Sequence, residues 1–472
     1  MLANRVDPTS FFNMELLGGL FKSYDIRGIV GEQIYPEICY EIGKAFASLM
    51  VEEDANLEKI LIGHDMRPSA DTLAPAFIEG VISRGIDVAQ LGLCSTDMLY
   101  FASGFHNCPG AIFTASHNPS QYNGIKLCRA GAGPIGAESG LVDIQKRVMT
   151  GDSGPALSKG NIYSLEVLDD FVDHVLDFVD AKSLLPLNVV VDTANGMGGL
   201  VVPAVFAKLP FKLDLMYGEL DGTFPNHPAD PLNSENLVDL QMRVQSSNAD
   251  IGLAFDGDAD RVFLVDEKGQ SLSGSDTTAL VAKNILQKDP ESTIIHNLIC
   301  SRAVQETIER YGGQALRSRV GHSYIKQLMA ETGAAFAGEH SGHYYFRDNY
   351  RADSGLIAAL LVMQEMSDKD ISLSSLRKDY GSYSSTGEIN FRVGNPTDVI
   401  ERISNIFSDY EHDYLDGLTV NADKWWFNLR PSNTEPLLRL NLEADTAVTM
   451  ERAFMKIREC LEQFVESEAE AD

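Results

Sequence analysis

The chain has 472 residues with 38 Lys and Arg against 68 Asp and Glu, a formal charge of -30. That length exceeds one ordinary core and predicts three or four domains. So acidic a chain repels phosphate backbones and anionic lipid surfaces, which argues against nucleic-acid and membrane partners. An anionic ligand would need the scarce basic residues gathered in one cleft. Hydrophobic residues make up 44% and charged residues 22%, an ordinary globular balance with no long polar tract. The six cysteines, scattered without a CxxC pair, fit neither a disulfide framework nor a zinc site. With no signal-like leader and no run of eighteen apolar residues, the expected location is the cytoplasm.

In chain order, apolar runs at 59–63, 111–115, 187–192 and 292–296 predict strands alternating with amphipathic stretches, an α/β pattern. A Gly, Ser and Pro-rich stretch between Thr150 and Asn161 predicts a boundary. Leu168, Phe171, Val172, Val175 and Val179 then recur at helical spacing. Met450, Phe454, Ile457, Leu461 and Phe464 mark a last amphipathic helix before an acidic tail expected to fray. Three times an apolar run enters a polar loop and leaves as another apolar run: around 115–124, 256–261 and 338–343. Successive α/β domains presenting equivalent loops would explain the repeat, because ligands bind at the carboxyl ends of strands in open α/β sheets.

The loops carry distinct chemistry. In DGDADR the alternating Asp256, Asp258 and Asp260 can converge on one hard cation. An EF-hand is the competing reading, since Glu267 falls twelfth, but Arg261 replaces the turn glycine and the flank reads as a strand. Ser116 sits at a strand end beside His117 and Asn118, with Lys126 on the returning strand; it suits a nucleophile or phosphoryl carrier as well as a turn residue. No G-x-S-x-G surrounds it, which counts against a hydrolase. GAGPIG at 131–136 matches a dinucleotide fingerprint only formally, because Pro134 interrupts it. GEHSGH offers Glu339, His340, Ser341 and His343 to hydroxyls and protons, and lacks the helical His spacing of zinc hydrolases. Arg430 precedes Ser432, Asn433 and Thr434 in a turn that could cradle phosphate or simply cap a helix. No P-loop is present, which disfavours nucleoside triphosphates.

These four loops, with FKSYDIRG (21–28), GHDMRPS (63–69), DGTFPNHPADP (221–231) and GHSYIK (321–326), resemble the α-D-phosphohexomutase family, most closely its phosphomannomutase/phosphoglucomutase branch. The likeness spans nearly the whole chain, with departures at His64, Met66, 94–97 and Ile299. It implies three related mixed α/β domains plus a smaller C-terminal α+β domain around a central cleft. The expected units are 1–155 for the phosphoserine, 156–270 for the metal, 271–380 for the sugar and 381–472 for the phosphate. The resemblance makes Ser116 the phosphoserine, with Asp256, Asp258 and Asp260 holding Mg²⁺ together with its phosphate. It gives Arg261 the transferring phosphoryl group, and Lys126, His117, His322 and His343 charge stabilisation or proton transfer, without choosing a base. Glu339, Ser341 and His343 would meet the sugar, Arg430, Ser432, Asn433 and Thr434 the other phosphate, and Tyr24 and Arg27 the cleft. Implied substrates are mannose and glucose phosphates, with a sugar 1,6-bisphosphate as intermediate and activator. The alternatives are a phosphoglucosamine mutase, whose usual loops differ, a non-catalytic sugar-phosphate or metal-binding relative, and a serine hydrolase. The resemblance leaves the oligomeric state open.

Overall fold

The computed structural model describes residues 18–151, 158–378, 380, 383–432 and 437–464. Four sheets follow one another along these residues. In the first, Lys59–His64, Asp87–Leu93 and Gly110–Phe113 run parallel, and Tyr122–Arg129 returns antiparallel beside Gly110–Phe113. The second repeats this with Asn188–Asp192, Lys212–Met216 and Ile251–Phe255, then Val262–Asp266 antiparallel. The third does so with Thr293–Asn297, Gln314–Ser318 and Phe336–Gly338, then Tyr344–Phe346 antiparallel. In all three the first parallel strand lies between the other two, and the hairpin begins at the third. The repeat expected from sequence is therefore topological. Each polar loop leaves the carboxyl end of an equivalent strand.

The periodicity explains the layering. Ile251–Phe255 and Val262–Asp266 are buried at every position, the pattern of strands covered on both faces. Helices Val238–Ser247 and Gly355–Lys369 pack on these strands, and Gly355–Lys369 buries most of its own length. Ile162–Ser164, beyond the boundary expected at 155, pairs in parallel with Asp87–Leu93 and extends the first sheet. Its residues are exposed, Ile162 and Tyr163 included, so it lies at the sheet edge outside the core. The following helix is Leu168–Leu176, which buries Phe171, Val172 and Val175 and ends before Val179.

The fourth sheet is antiparallel throughout, in the order Ser384–Arg392, Leu437–Ala444, Trp425–Pro431, Leu418–Asn421, Glu411–Asp413. Helices Pro396–Ile406 and Ala447–Glu462 pack on it around Ile403, Phe427, Leu440 and Ile457. The acidic tail lies outside the described residues. Among the described residues no helix is long and apolar enough to cross a membrane.

Candidate functional site

Ser116 follows the strand Gly110–Phe113 and is 4% exposed. Its φ of 49° places it in the left-handed region, which a residue with a β-carbon adopts only when neighbours hold it there. Its Oγ donates to Asp256 Oδ2 at 2.7 Å and lies 3.3 Å from both Arg261 Nη2 and His117 Nδ1. A β-carbon at Gly257 would lie 2.4 Å from the Ser116 carbonyl oxygen, so the two loops meet only because that position is glycine.

Asp256, Asp258 and Asp260 are buried, and their carboxylates offer oxygens within 4.8 Å of one another. Lys126 Nζ donates to Asp258 Oδ2 at 2.7 Å and Asp260 Oδ2 at 2.6 Å, and Thr96 Oγ1 donates to Asp258 Oδ2 at 2.6 Å. Among the described residues, the Oδ1 atoms of Asp258 and Asp260 are buried without a hydrogen-bond partner. Orphaned acceptors of this kind are costly, and a hard cation satisfies them. The residues present therefore fit a metal ion. Burial opposes the charge on Asp258, but the Lys126 ammonium and the hydrogen bonds from Lys126 and Thr96 prevail and hold its carboxyl well below the usual range. Burial lifts Asp256 to about 7 despite Arg261 beside it. Glu267 turns away to accept from the backbone N–H of Ser374 at 3.1 Å, which removes the EF-hand reading.

The third loop lies against the second. Arg261 and His343 form an isolated bridge, and His343 Nδ1 donates to Asp353 Oδ2 at 2.8 Å while standing 3.8 Å from Asp260 Oδ1. The histidines expected near the reaction are shifted in opposite directions. Burial works against protonation of His343, but Asp260 and Asp353 reverse it and raise its pKa. Burial, reinforced by Lys326 and Lys126, takes His322 down to about 3. Burial with Arg261 and Arg27 takes His117 well below its ordinary value. Glu339, 3% exposed, accepts from Tyr345 Oη at 2.6 Å and Asn297 Nδ2 at 3.1 Å. Ser341 is half-buried on the same loop. Tyr24 donates to the Val320 carbonyl at 2.9 Å with its ring 5.1 Å from that of His322, and Arg27 donates to Asn118 Oδ1 at 2.6 Å.

On the fourth sheet Arg430 faces Arg439 across neighbouring strands. Like charges so placed repel, and Glu388 bridges them, at 2.8 Å from Arg430 Nη2 and 3.1 Å from Arg439 Nη1. Arg439 also donates to Ser432 Oγ at 3.3 Å. Asn433 and Thr434 lie outside the described residues. Two guanidinium groups converging on one carboxylate form a geometry suited to phosphate.

Sequence reasoning missed Arg439, Asp353, Lys326, Thr96 and Arg67. Lys326 and Arg67 stand inside motifs already singled out, at 321–326 and 63–69. Lys326 reaches Asp353 Oδ1 at 3.2 Å and sits 3.5 Å from the Tyr100 ring centroid. Thr96 and Asp353 had no local signal, because their partners lie 162 and 10 residues away.

Four family models described as phosphoglucomutase/phosphomannomutase match the chain: the alpha/beta/alpha domains I, II and III at residues 18–153, 169–269 and 273–383, and the C-terminal domain at 388–460. A phosphomannomutase from Escherichia coli (strain K12) is 38% identical over 435 residues, covering 90% of this chain and 94% of its own. A phosphomannomutase from Methanocaldococcus jannaschii is 38% identical over 442 residues, covering 93% and 96%. The crystal structure of a phosphoglucomutase/phosphomannomutase family protein from Burkholderia thailandensis superposes with a TM-score of 0.86 at 29% identity, covering 94% of this chain and 97% of that one.

Proposed function

Because this chain belongs to the phosphoglucomutase/phosphomannomutase family, we propose that Ser116 carries a phosphoryl group between O1 and O6 of a hexose phosphate. The chain is a phosphohexomutase, an isomerase. The observation that carries the role of Ser116 is its buried Oγ, within hydrogen-bond reach of Asp256 and facing Arg261, beside a cluster of three carboxylates.

In the forward half, a sugar hydroxyl attacks the phosphorus of phosphorylated Ser116. The sugar O–P bond forms as the Oγ–P bond breaks, and the hydroxyl proton passes to a base. Asp353 holds His343 Nδ1 and with Asp260 favours its cation, so His343 would stabilise charge on the transferring group rather than accept that proton. The resulting sugar 1,6-bisphosphate turns over in the cleft and returns its other phosphoryl group to Ser116 Oγ. Arg261 and Lys126 neutralise the transferring group, whose chemistry depends on in-line positioning and charge compensation. Asp256, Asp258 and Asp260, joined by Ser116, would hold Mg²⁺, which supplies charge compensation when bound. Glu339 and Ser341 would hold sugar hydroxyls. Arg430 and Arg439, with Ser432, Asn433 and Thr434, would hold the phosphate not being transferred, and Tyr24 and Arg27 would line the cleft. His117 and His322, kept neutral, would serve as hydrogen-bonding groups. In this reading 1–155, 156–270, 271–380 and 381–472 contribute phosphoserine, metal, sugar and phosphate sites in turn.

The substrates are mannose 1-phosphate and mannose 6-phosphate, with glucose phosphates also accepted; similarity to phosphomannomutases supports mannose. Six free thiols support a reducing, cytoplasmic setting. The test is conversion of mannose 1-phosphate, glucose 1-phosphate and glucosamine 1-phosphate in parallel, with Mg²⁺ and catalytic glucose 1,6-bisphosphate. Turnover of the first two with glucosamine 1-phosphate poor is expected. Preference for glucosamine 1-phosphate would overturn the substrate assignment, and no conversion by folded protein would overturn the mechanism.

A further inference from the structure

Arg67, 1% exposed, follows the strand Lys59–His64 and reaches neither the carboxylate cluster nor any sugar-facing side chain named above. A guanidinium taken out of water must have its donors satisfied, and all five N–H groups of Arg67 are used. Nη2 donates to the carbonyls of Ser116 at 2.9 Å and Asn118 at 2.6 Å, and Nη1 to those of Pro119 and Tyr122 at 2.9 Å each. Nε donates to Asp65 Oδ2 at 3.2 Å. Four of the five N–H groups thus end on one loop, the loop that carries Ser116.

The amide side of Ser116 is held within its own loop, where its N–H donates to Thr114 Oγ1 at 3.0 Å. Asp65 also accepts from the backbone N–H of Arg67 at 2.9 Å. The peptide group after Ser116 is therefore fixed by Arg67, which Asp65 orients, at a residue whose φ is left-handed. The second unit closes the arrangement from outside. The Phe224 ring centroid is 5.0 Å from the guanidinium carbon, and Gly222 approaches so closely that a β-carbon there would lie 2.5 Å from Arg67 Cα. The loop 221–231 otherwise has no part in the chemistry described.

We propose that Arg67 is a positioning residue: by gripping the carbonyls of the Ser116 loop it aims Oγ between Asp256 and Arg261, and so sets the rate of phosphoryl transfer without touching the sugar. The proposal rests on the reading of Ser116 as the carrier. Lysine keeps the charge but not the planar fork, so Arg67→Lys should misplace the loop. Displacement of a reacting atom by about 1 Å costs about a hundredfold in rate.

The experiment measures kcat and KM for Arg67→Lys and Arg67→Ala with Ser116→Ala as control, beside a melting curve for each variant. We expect kcat of Arg67→Lys to fall about a hundredfold with KM within about threefold of wild type. Guanidinium ion at low millimolar concentration should restore part of the Arg67→Ala rate, and ammonium ion should not. If Arg67→Ala fails to fold, Phe224→Leu keeps the test, because it removes the ring over the guanidinium and none of the hydrogen bonds; kcat should drop severalfold at unchanged KM. An inactive Ser116→Ala beside Arg67 variants that lose rate only in proportion to their folded fraction would overturn the proposal alone. A Ser116→Ala protein turning over normally would overturn the underlying reading as well.

Discussion

Leu61, Ile112, Val191, Leu253, Ile294 and Phe336 belong to one hydrophobic cluster that runs through the first three sheets, whereas the fourth sheet packs on its own helices around Ile403, Phe427, Leu440 and Ile457. The fourth unit meets the rest through a small cluster of Leu298, Ile299 and Trp426 and through polar contacts. Trp426 Nε1 and the backbone N–H of Arg302 both donate to Glu443 Oε1, at 2.9 and 3.0 Å, and Arg317 pairs with Asp413 at 2.8 Å. A continuous close-packed interior transmits small displacements, while a docked interface of this kind can repack. Groups that must meet within a few tenths of an ångström therefore lie on the welded part. The two arginines suited to the spectator phosphate lie on the docked part.

That contrast predicts a division between kcat and KM. Ser116→Ala should lower kcat by about four orders of magnitude or more with the fold intact, since it removes the carrier itself. Asp258→Asn removes one hard ligand charge and should raise the metal concentration for half-maximal activity by about a hundredfold, and chelation should silence the wild type. An unaltered metal titration would place the ion elsewhere. Arg430→Ala should raise KM for every sugar phosphate alike by about 10- to 100-fold at nearly constant kcat, as expected for charge-assisted bonds to a non-reacting group. A fall in kcat with KM unchanged would erase the distinction between the two regions. Thr96→Val leaves the carboxylates in place but removes a donor to Asp258, and should shift the metal titration by about tenfold. The smallest effect concerns shape: a sugar bisphosphate should shrink the radius of gyration slightly as the fourth unit closes, and an unchanged scattering curve would contradict that closure.

The comparison also separates what was legible in the sequence from what was not. The three hairpin loops were readable because each sits between apolar runs of strand length, and Asp256, Asp258 and Asp260 alternate within one of them. Ser116 alone was ambiguous; the order of the loops gave it a role, and the structure adds its left-handed backbone. Thr96 escaped because its partner lies in another unit, and Arg67 and Asp353 because their partners lie on separate loops of their own units, which no local period encodes. Arg439 escaped because its meaning lies in register: nine residues beyond Arg430, it becomes the directly facing residue only once the two strands pair. The edge strand Ile162–Ser164 escaped because three exposed residues are too few to show a strand period.

The central claim is that the phosphoryl group travels on Ser116. It is tested most directly by incubating the protein with glucose 1,6-bisphosphate labelled in its phosphates, quenching in acid and mapping the labelled peptide. The account predicts one labelled site, on Ser116, whose label moves into sugar phosphate when unlabelled mannose 1-phosphate is added. Label on another residue, or turnover with no labelled protein at any time, would contradict it.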